Sequence, residues 1–166
     1  GPYIYELYRS YGISKEGIET LFVAGFGASM LLGTFVGGLA DRFGRKRAAV
    51  LYAALYAASC LAKAVNSYPV LFVGRLLGGT ATSILFSAFE AWVVAEHARV
   101  RPTAAPQQPG EVDWLTVVFA EATLGNSLVA ISCGVVAQVC THGLGYWSPF
   151  FLAMGLLAAM AVLVSK

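Results

Sequence analysis

"GGLADRFGRKRAA", residues 37–49, is a glycine-rich, basic run caught between two long apolar stretches. Upstream, residues 21–40 pass without a single charge; downstream, residues 48–65 carry only Lys63. At about 1.5 Å of rise per residue, each stretch reaches across much or all of a hydrocarbon core about 30 Å thick. Arg42, Arg45, Lys46 and Arg47 therefore sit in a short loop joining two membrane helices. The rest of the chain repeats the pattern, with uncharged or nearly uncharged runs at 70–95, 114–140 and 147–164. Arg75 and Glu90 interrupt the first of these and Glu121 the second. None of the runs alternates as barrel strands do.

Composition agrees with an all-α membrane protein of five spans. The 166 residues are 58% hydrophobic and 12% charged, far from the usual soluble balance of about half apolar and a quarter charged. Mean hydropathy is +0.69. The net charge of +2 is too small, and its basic residues too scattered among segment ends, to suggest a nucleic-acid partner. Cys60, Cys133 and Cys140 lack paired or metal-ligand spacing and lie in apolar runs, so they read as small buried hydrophobes. His97 and His142 fall near loops on opposite sides, no serine has an adjacent base, and no phosphate loop occurs. The pattern points to neither an enzyme, a resident cofactor nor a metal centre.

Loop charge sets the direction of the spans. Loops that face the cytoplasm collect Lys and Arg. The 41–47 loop holds four such residues and the proline-bearing connector at 98–113 holds Arg99 and Arg101, whereas "NSYP" at 66–69 and "THGLGY" at 141–146 hold none. The first pair is thus expected inside and the second outside. The N-terminal "GPYIYELYRSYG" then lies outside, where Tyr3, Tyr5, Tyr8 and Tyr11 suit an aromatic belt marking the end of a preceding helix. An odd number of spans with no initiator Met suggests part of a longer protein, with a C-terminal half still to come.

Charge alone does not account for the spacing within the loop. Gly38-Leu39-Ala40-Asp41-Arg42-Phe43-Gly44-Arg45-Lys46 resembles the G-x-L-A-D-R-x-G-R-K loop between the second and third helices of the major facilitator superfamily. Physically, Asp41 offers a carboxylate at a helix boundary, Gly44 can take positive φ in a tight turn, and Arg45 and Lys46 can meet carbonyl ends of helices. "GRLLGG" at 74–79 is similar to the arginine-bearing fourth helix of that superfamily. Three further strings, "GPYIYELYRSYG", "GRLLGGTATSILFSAFEAW" and "EAWVVAEH", resemble its molybdate-carrying branch. The resemblance implies helices two to six of a twelve-helix fold, residues 1–166 forming most of an N-terminal half. It also implies a multi-pass transporter of a small oxyanion, molybdate, in the cell membrane. The mechanism it implies is alternating access, with Gly38, Asp41, Arg42, Gly44, Arg45 and Lys46 as the conformational latch. Other readings are a sugar or organic-anion transporter, or a receptor or scaffold that keeps the fold without transporting.

Within the spans, the residues that could touch cargo are few. A charge in the bilayer is costly unless it meets a partner or a wet cavity, so Arg75 is the leading candidate, and its planar fork of donors suits a tetrahedral oxyanion. At 100° per residue Arg75, Gly79, Thr82, Phe86 and Glu90 share one helical face, with Glu90 a candidate for a coupling proton or for pairing with a base. Asn126, in the next span, can bond cargo or glue helices; Glu121 departs from the superfamily pattern around it. Lys63, beside Ser59 and Cys60 near the outer end of its span, is expected to snorkel to the interface, the alternative being an outer role in attracting anions. The pairs Gly33/Gly37 and Gly74/Gly78 read as close helix contacts.

Overall fold

The structure, a computed structural model, describes residues 2–100 and 114–165, with side chains described for all of these except residues 2, 34, 36–43, 45, 88, 144 and 165. Every described element is a helix: α1 (Pro2–Ser10), α2 (Lys15–Phe43), α3 (Arg45–Ala62), α4 (Tyr68–Val100), α5 (Trp114–Leu144) and α6 (Ser148–Ser165). Three of them, α2, α4 and α5, outrun the apolar stretches that announce them. α2 starts six residues before Leu21, and α4 runs on through Arg99 to Val100, so the first three residues of the expected 98–113 connector are helical. At 33 residues α4 is about 50 Å long, well beyond a hydrocarbon core of about 30 Å. Its charged ends, including the exposed Arg99–Glu96 pair at 2.7 Å, lie past the apolar section. Residues 101–113 are outside the described residues.

Two described helices, Tyr68–Val100 and Trp114–Gly143, are long and apolar enough to cross a membrane; Ser148–Val164 is a shorter apolar helix. Between α2 and α3 the loop shrinks to Gly44 alone, at φ 86°, a conformation that costs glycine little and any side chain strain. The turn expected there is present. Gly38, Asp41, Arg42 and Arg45 belong to the flanking helices by backbone, but their side chains are outside the described residues. Lys46, the second residue of α3, is exposed.

α4 is the centre of the arrangement, packed between α2 and α3; α6 rests on α3, and α5 on α6. At the Tyr11 end, Tyr8, Ile18, Leu21 and Leu71 form a buried apolar cluster that ties α1, α2 and α4 together. Towards Gly44, Ala48 and Ile84 do the same for α3 and α4, flanked by Tyr52 and Leu55. Close approach is what makes these contacts possible. A Cβ on Gly79 would overlap the Gly25 carbonyl of α2, and one on Gly74 would overlap the Ala62 side chain of α3. One on Gly78 would sit 2.8 Å from Ser59 Oγ. The 74/78 pair is thus a packing surface, as its spacing predicts. Further along the α2–α4 seam, Ser83 Oγ donates to the Ser29 carbonyl at 2.6 Å and lies 3.1 Å from Ser29 Oγ.

Candidate functional site

A cavity of about 120 Å³ opens where α1, α2, α3 and α4 converge near the Tyr11 end. Ile4, Phe22, Gly25, Phe26 and Ser29 line one side; Tyr56, Ser59, Lys63, Arg75, Gly78, Gly79 and Thr82 line the other. The small residues that let the helices touch also leave this space. Gly25 and Gly79 contribute no side chain to it, and their neighbours one turn away point in.

Arg75 is half-buried. Its Nε donates to the Leu21 carbonyl at 3.3 Å, and its Cζ lies 4.1 Å from the centre of the Phe22 ring and 5.9 Å from that of Tyr8. Ring faces carry partial negative charge, so the guanidinium is stabilised and oriented without a carboxylate. Leu21 O is its single hydrogen-bond acceptor among the described residues, which leaves the outer donors of a five-donor group facing the cavity it lines. Thr82 Oγ1 donates to the Gly78 carbonyl at 2.9 Å, and so offers its oxygen lone pairs or, on rotation, its proton to the cavity.

Lys63 is the residue that sequence reasoning misplaced. It is 5% exposed, where a snorkelling lysine would extend into the interface. Its Nζ donates to Ser59 O and to Ser59 Oγ, both at 3.0 Å, and lies 5.3 Å from the centre of the Phe150 ring of α6. Tyr11, in the turn after α1, donates from its hydroxyl to the Lys63 carbonyl at 2.8 Å and packs its ring 6.1 Å from that of Trp147. The chain following α3 is thereby tied to the turn after α1 and to the start of α6. The one signal available beforehand was Ser59, one turn upstream, a polar neighbour suited to hold an ammonium group inward.

Arg75 and Thr82 thus come together, with Lys63, in one cavity. Glu90 does not: it is exposed on α4, two turns past Thr82, and is absent from the lining. Asn126 is exposed on α5, as is Glu121. Cys60 is buried as expected, whereas Cys133 is exposed and Cys140 half-exposed on the open side of α5. Among the described residues no carboxylate lines the cavity, and the described ion pairs, Arg9–Glu6, Lys15–Glu19 and Arg99–Glu96, are all exposed. Two cations with hydroxyls and without a counter-charge make a site complementary to an anion.

Residues 1–166 match the model of a family described as sugar transporters with 12 TM. The chain is 41% identical over 168 residues to the molybdate-anion transporter of Xenopus laevis, covering 100% of this chain and 36% of that protein. It is 35% identical to the molybdate-anion transporter of Takifugu rubripes and 34% to that of Danio rerio, each over 163 residues, 97% of this chain and 32% of the relative. It spans about a third of the length of the curated relatives it matches. No solved structure matches it. The glycine-spaced basic loop, the arginine-bearing α4 and the match over residues 1–166 lead to one assignment: the chain belongs to the MFS_5 family of the major facilitator superfamily, and it resembles the molybdate-anion transporters within that superfamily.

Proposed function

We propose that the protein is a secondary transporter that moves a tetrahedral oxyanion, molybdate, across a cell membrane by alternating access. The observation that carries this is the Arg75 cavity: a cationic, hydroxyl-lined space among four helices with no carboxylate among its described lining residues. The Leu21 carbonyl and the Phe22 ring offset only part of the desolvation of the half-buried guanidinium, and an oxyanion supplies a full negative charge that arrives and leaves. The relatives' name points to the same cargo. A neutral sugar fits less well, because the protons of sugar hydroxyls are accepted by carboxylate and amide oxygens, and the described lining residues include no carboxylate or side-chain amide.

In this reading residues 1–166 form most of the N-terminal half, with spans in α2 to α6, and rock against a C-terminal half. The basic loop lies in the cytoplasm and the cavity opens towards the outer face. Asp41, Arg42 and Arg45 latch the cytoplasmic side shut, a contact that forms in one state and breaks in the other, across a turn that Gly44 keeps to one residue. Asp41→Asn in the full-length protein should leave insertion intact and raise cysteine labelling from the cytoplasmic side; unchanged labelling would reduce the loop to a topological signal. Cargo is tested by uptake of labelled molybdate into vesicles containing the full-length protein. Uptake should be competed by tungstate and unaffected by glucose. Absence of uptake, or competition by glucose alone, would overturn the assignment.

A further inference from the structure

Lys63 presents an energetic problem that its visible partners solve only in part. A buried ammonium group carries a desolvation cost of several kcal/mol. Two of its three N–H donors go to Ser59, an uncharged oxygen pair, and the Phe150 ring at 5.3 Å adds a cation–π contact. Among the described residues Ser59 is its single hydrogen-bonding partner and no acid lines the cavity that Lys63 shares with Arg75. The seat is nonetheless built. Ser59 is pressed against α4 because Gly78 has no side chain, and the Lys63 backbone is held by the Tyr11 hydroxyl. So much structure spent on holding a second positive charge inward, beside a first, calls for more than a single negative charge between them.

We propose that Lys63 and Arg75 form a two-cation subsite that selects doubly charged tetrahedral oxyanions over singly charged ones of the same size. The inference rests on the transporter reading above and adds the charge of the cargo and the residue that reads it. Arg75 supplies a planar fork, fixed by Leu21 O and Phe22, that sets the orientation of the oxyanion. Lys63 supplies a compact point charge with one free donor, which senses how much charge the ligand carries rather than its shape. Hydroxyls of Ser29, Tyr56 and Thr82 line the same space and can donate to the remaining oxygens.

Molybdate and perrhenate provide the test, since both are tetrahedral and close in size but carry two charges and one. Binding of each is measured by equilibrium titration of the purified full-length protein and of its Lys63→Met and Lys63→Arg variants. The wild type should bind molybdate more tightly than perrhenate. Lys63→Met should lower that preference by about tenfold or more, chiefly by weakening molybdate, because one charge–charge contact in a partly buried site is removed. Lys63→Arg should keep it. Equal loss of both anions in Lys63→Met would make Lys63 a purely structural cation and overturn the proposal while leaving the transporter reading in place. Equal affinity of the wild type for the two anions would overturn it without recourse to any variant. Binding of neither anion by the wild type would overturn the subsite and the oxyanion assignment together.

Discussion

α4 and α5 are alike in length and hydropathy and opposite in surroundings. The most apolar stretches of the two are equally apolar, yet α4 is packed between two helices while the corresponding stretch of α5 has no buried residue within the chain. The difference lies in where small residues fall. Gly74, Gly78 and Gly79 stand on faces where α3 or α2 comes within contact of the absent Cβ; Gly125, Gly134 and Gly143 of α5 meet nothing within 4 Å. Apolar character places both helices in a membrane, because lipid is as apolar as leucine and gives helices no hydrophobic reason to associate. Close packing and serine bonds between helices decide which of them build a site. On α5 the hydroxyls of Thr123, Ser127 and Ser132 donate to carbonyls one turn back in their own helix, at 2.8–2.9 Å, as Thr80 and Thr82 of α4 also do; what α4 has in addition is the Ser83 bond across to Ser29 of α2. Bonding within the helix satisfies the α5 hydroxyls where hydrocarbon offers no partner.

A graded series of glycine substitutions in the full-length protein would break or sharpen this contrast. Gly79→Val should be the most damaging, because its Cβ overlaps the Gly25 backbone carbonyl and a backbone cannot step aside. Overpacking of this kind costs about 1–3 kcal/mol or more, and α2 and α4 should separate with loss of the cavity. Gly78→Ala should cost less, about 1 kcal/mol, because the atom it meets at 2.8 Å is the rotatable Ser59 hydroxyl. The rotation would also loosen the Lys63 seat, so anion binding should fall more than stability does. Gly134→Ala should change stability by no more than about 1 kcal/mol, with the sign set by improved helix propensity. Thermal unfolding in detergent, read beside anion binding, gives all three values. A Gly134 loss as large as that at Gly79 would mean that protein rather than lipid covers α5, and the two helices would no longer differ in kind.

Much of the fold is legible in the residue order, for reasons that stay local. Apolar runs locate α2 to α6, and one glycine between aspartate and arginine clusters locates the α2–α3 turn. The helix ends were less legible, because charged residues such as Lys15 and Arg99 read as loop yet continue a helix beyond the hydrocarbon, where backbone bonding goes on in water. At the site, Arg75 and Thr82 follow from one rule, that a charge or hydroxyl inside a span needs somewhere polar to face. Lys63 does not follow. Near the end of an apolar run it has the surroundings of any snorkelling lysine, and what buries it comes from far away in the chain: Tyr11 from the α1–α2 turn and Phe150 from α6. Glu90 errs in the other direction. It shares the Arg75 face by helical geometry, but it is exposed and is not among the residues that line the cavity.

The central claim is that the fork of Arg75 binds the transported oxyanion, and Arg75→Lys tests it most directly. Lysine keeps the charge and much of the length but cannot present two parallel donors to two oxygens. The measurement is the initial rate of labelled molybdate uptake by vesicles reconstituted with the full-length protein, wild type against Arg75→Lys, at matched protein content and after confirming equal thermal stability. The account predicts a loss of uptake of about tenfold or more, consistent with about 1.4 kcal/mol or more of lost oxyanion stabilisation. Uptake by Arg75→Lys at the wild-type rate would contradict it, leaving Arg75 as a general positive charge in the helical array and the cavity without its proposed ligand.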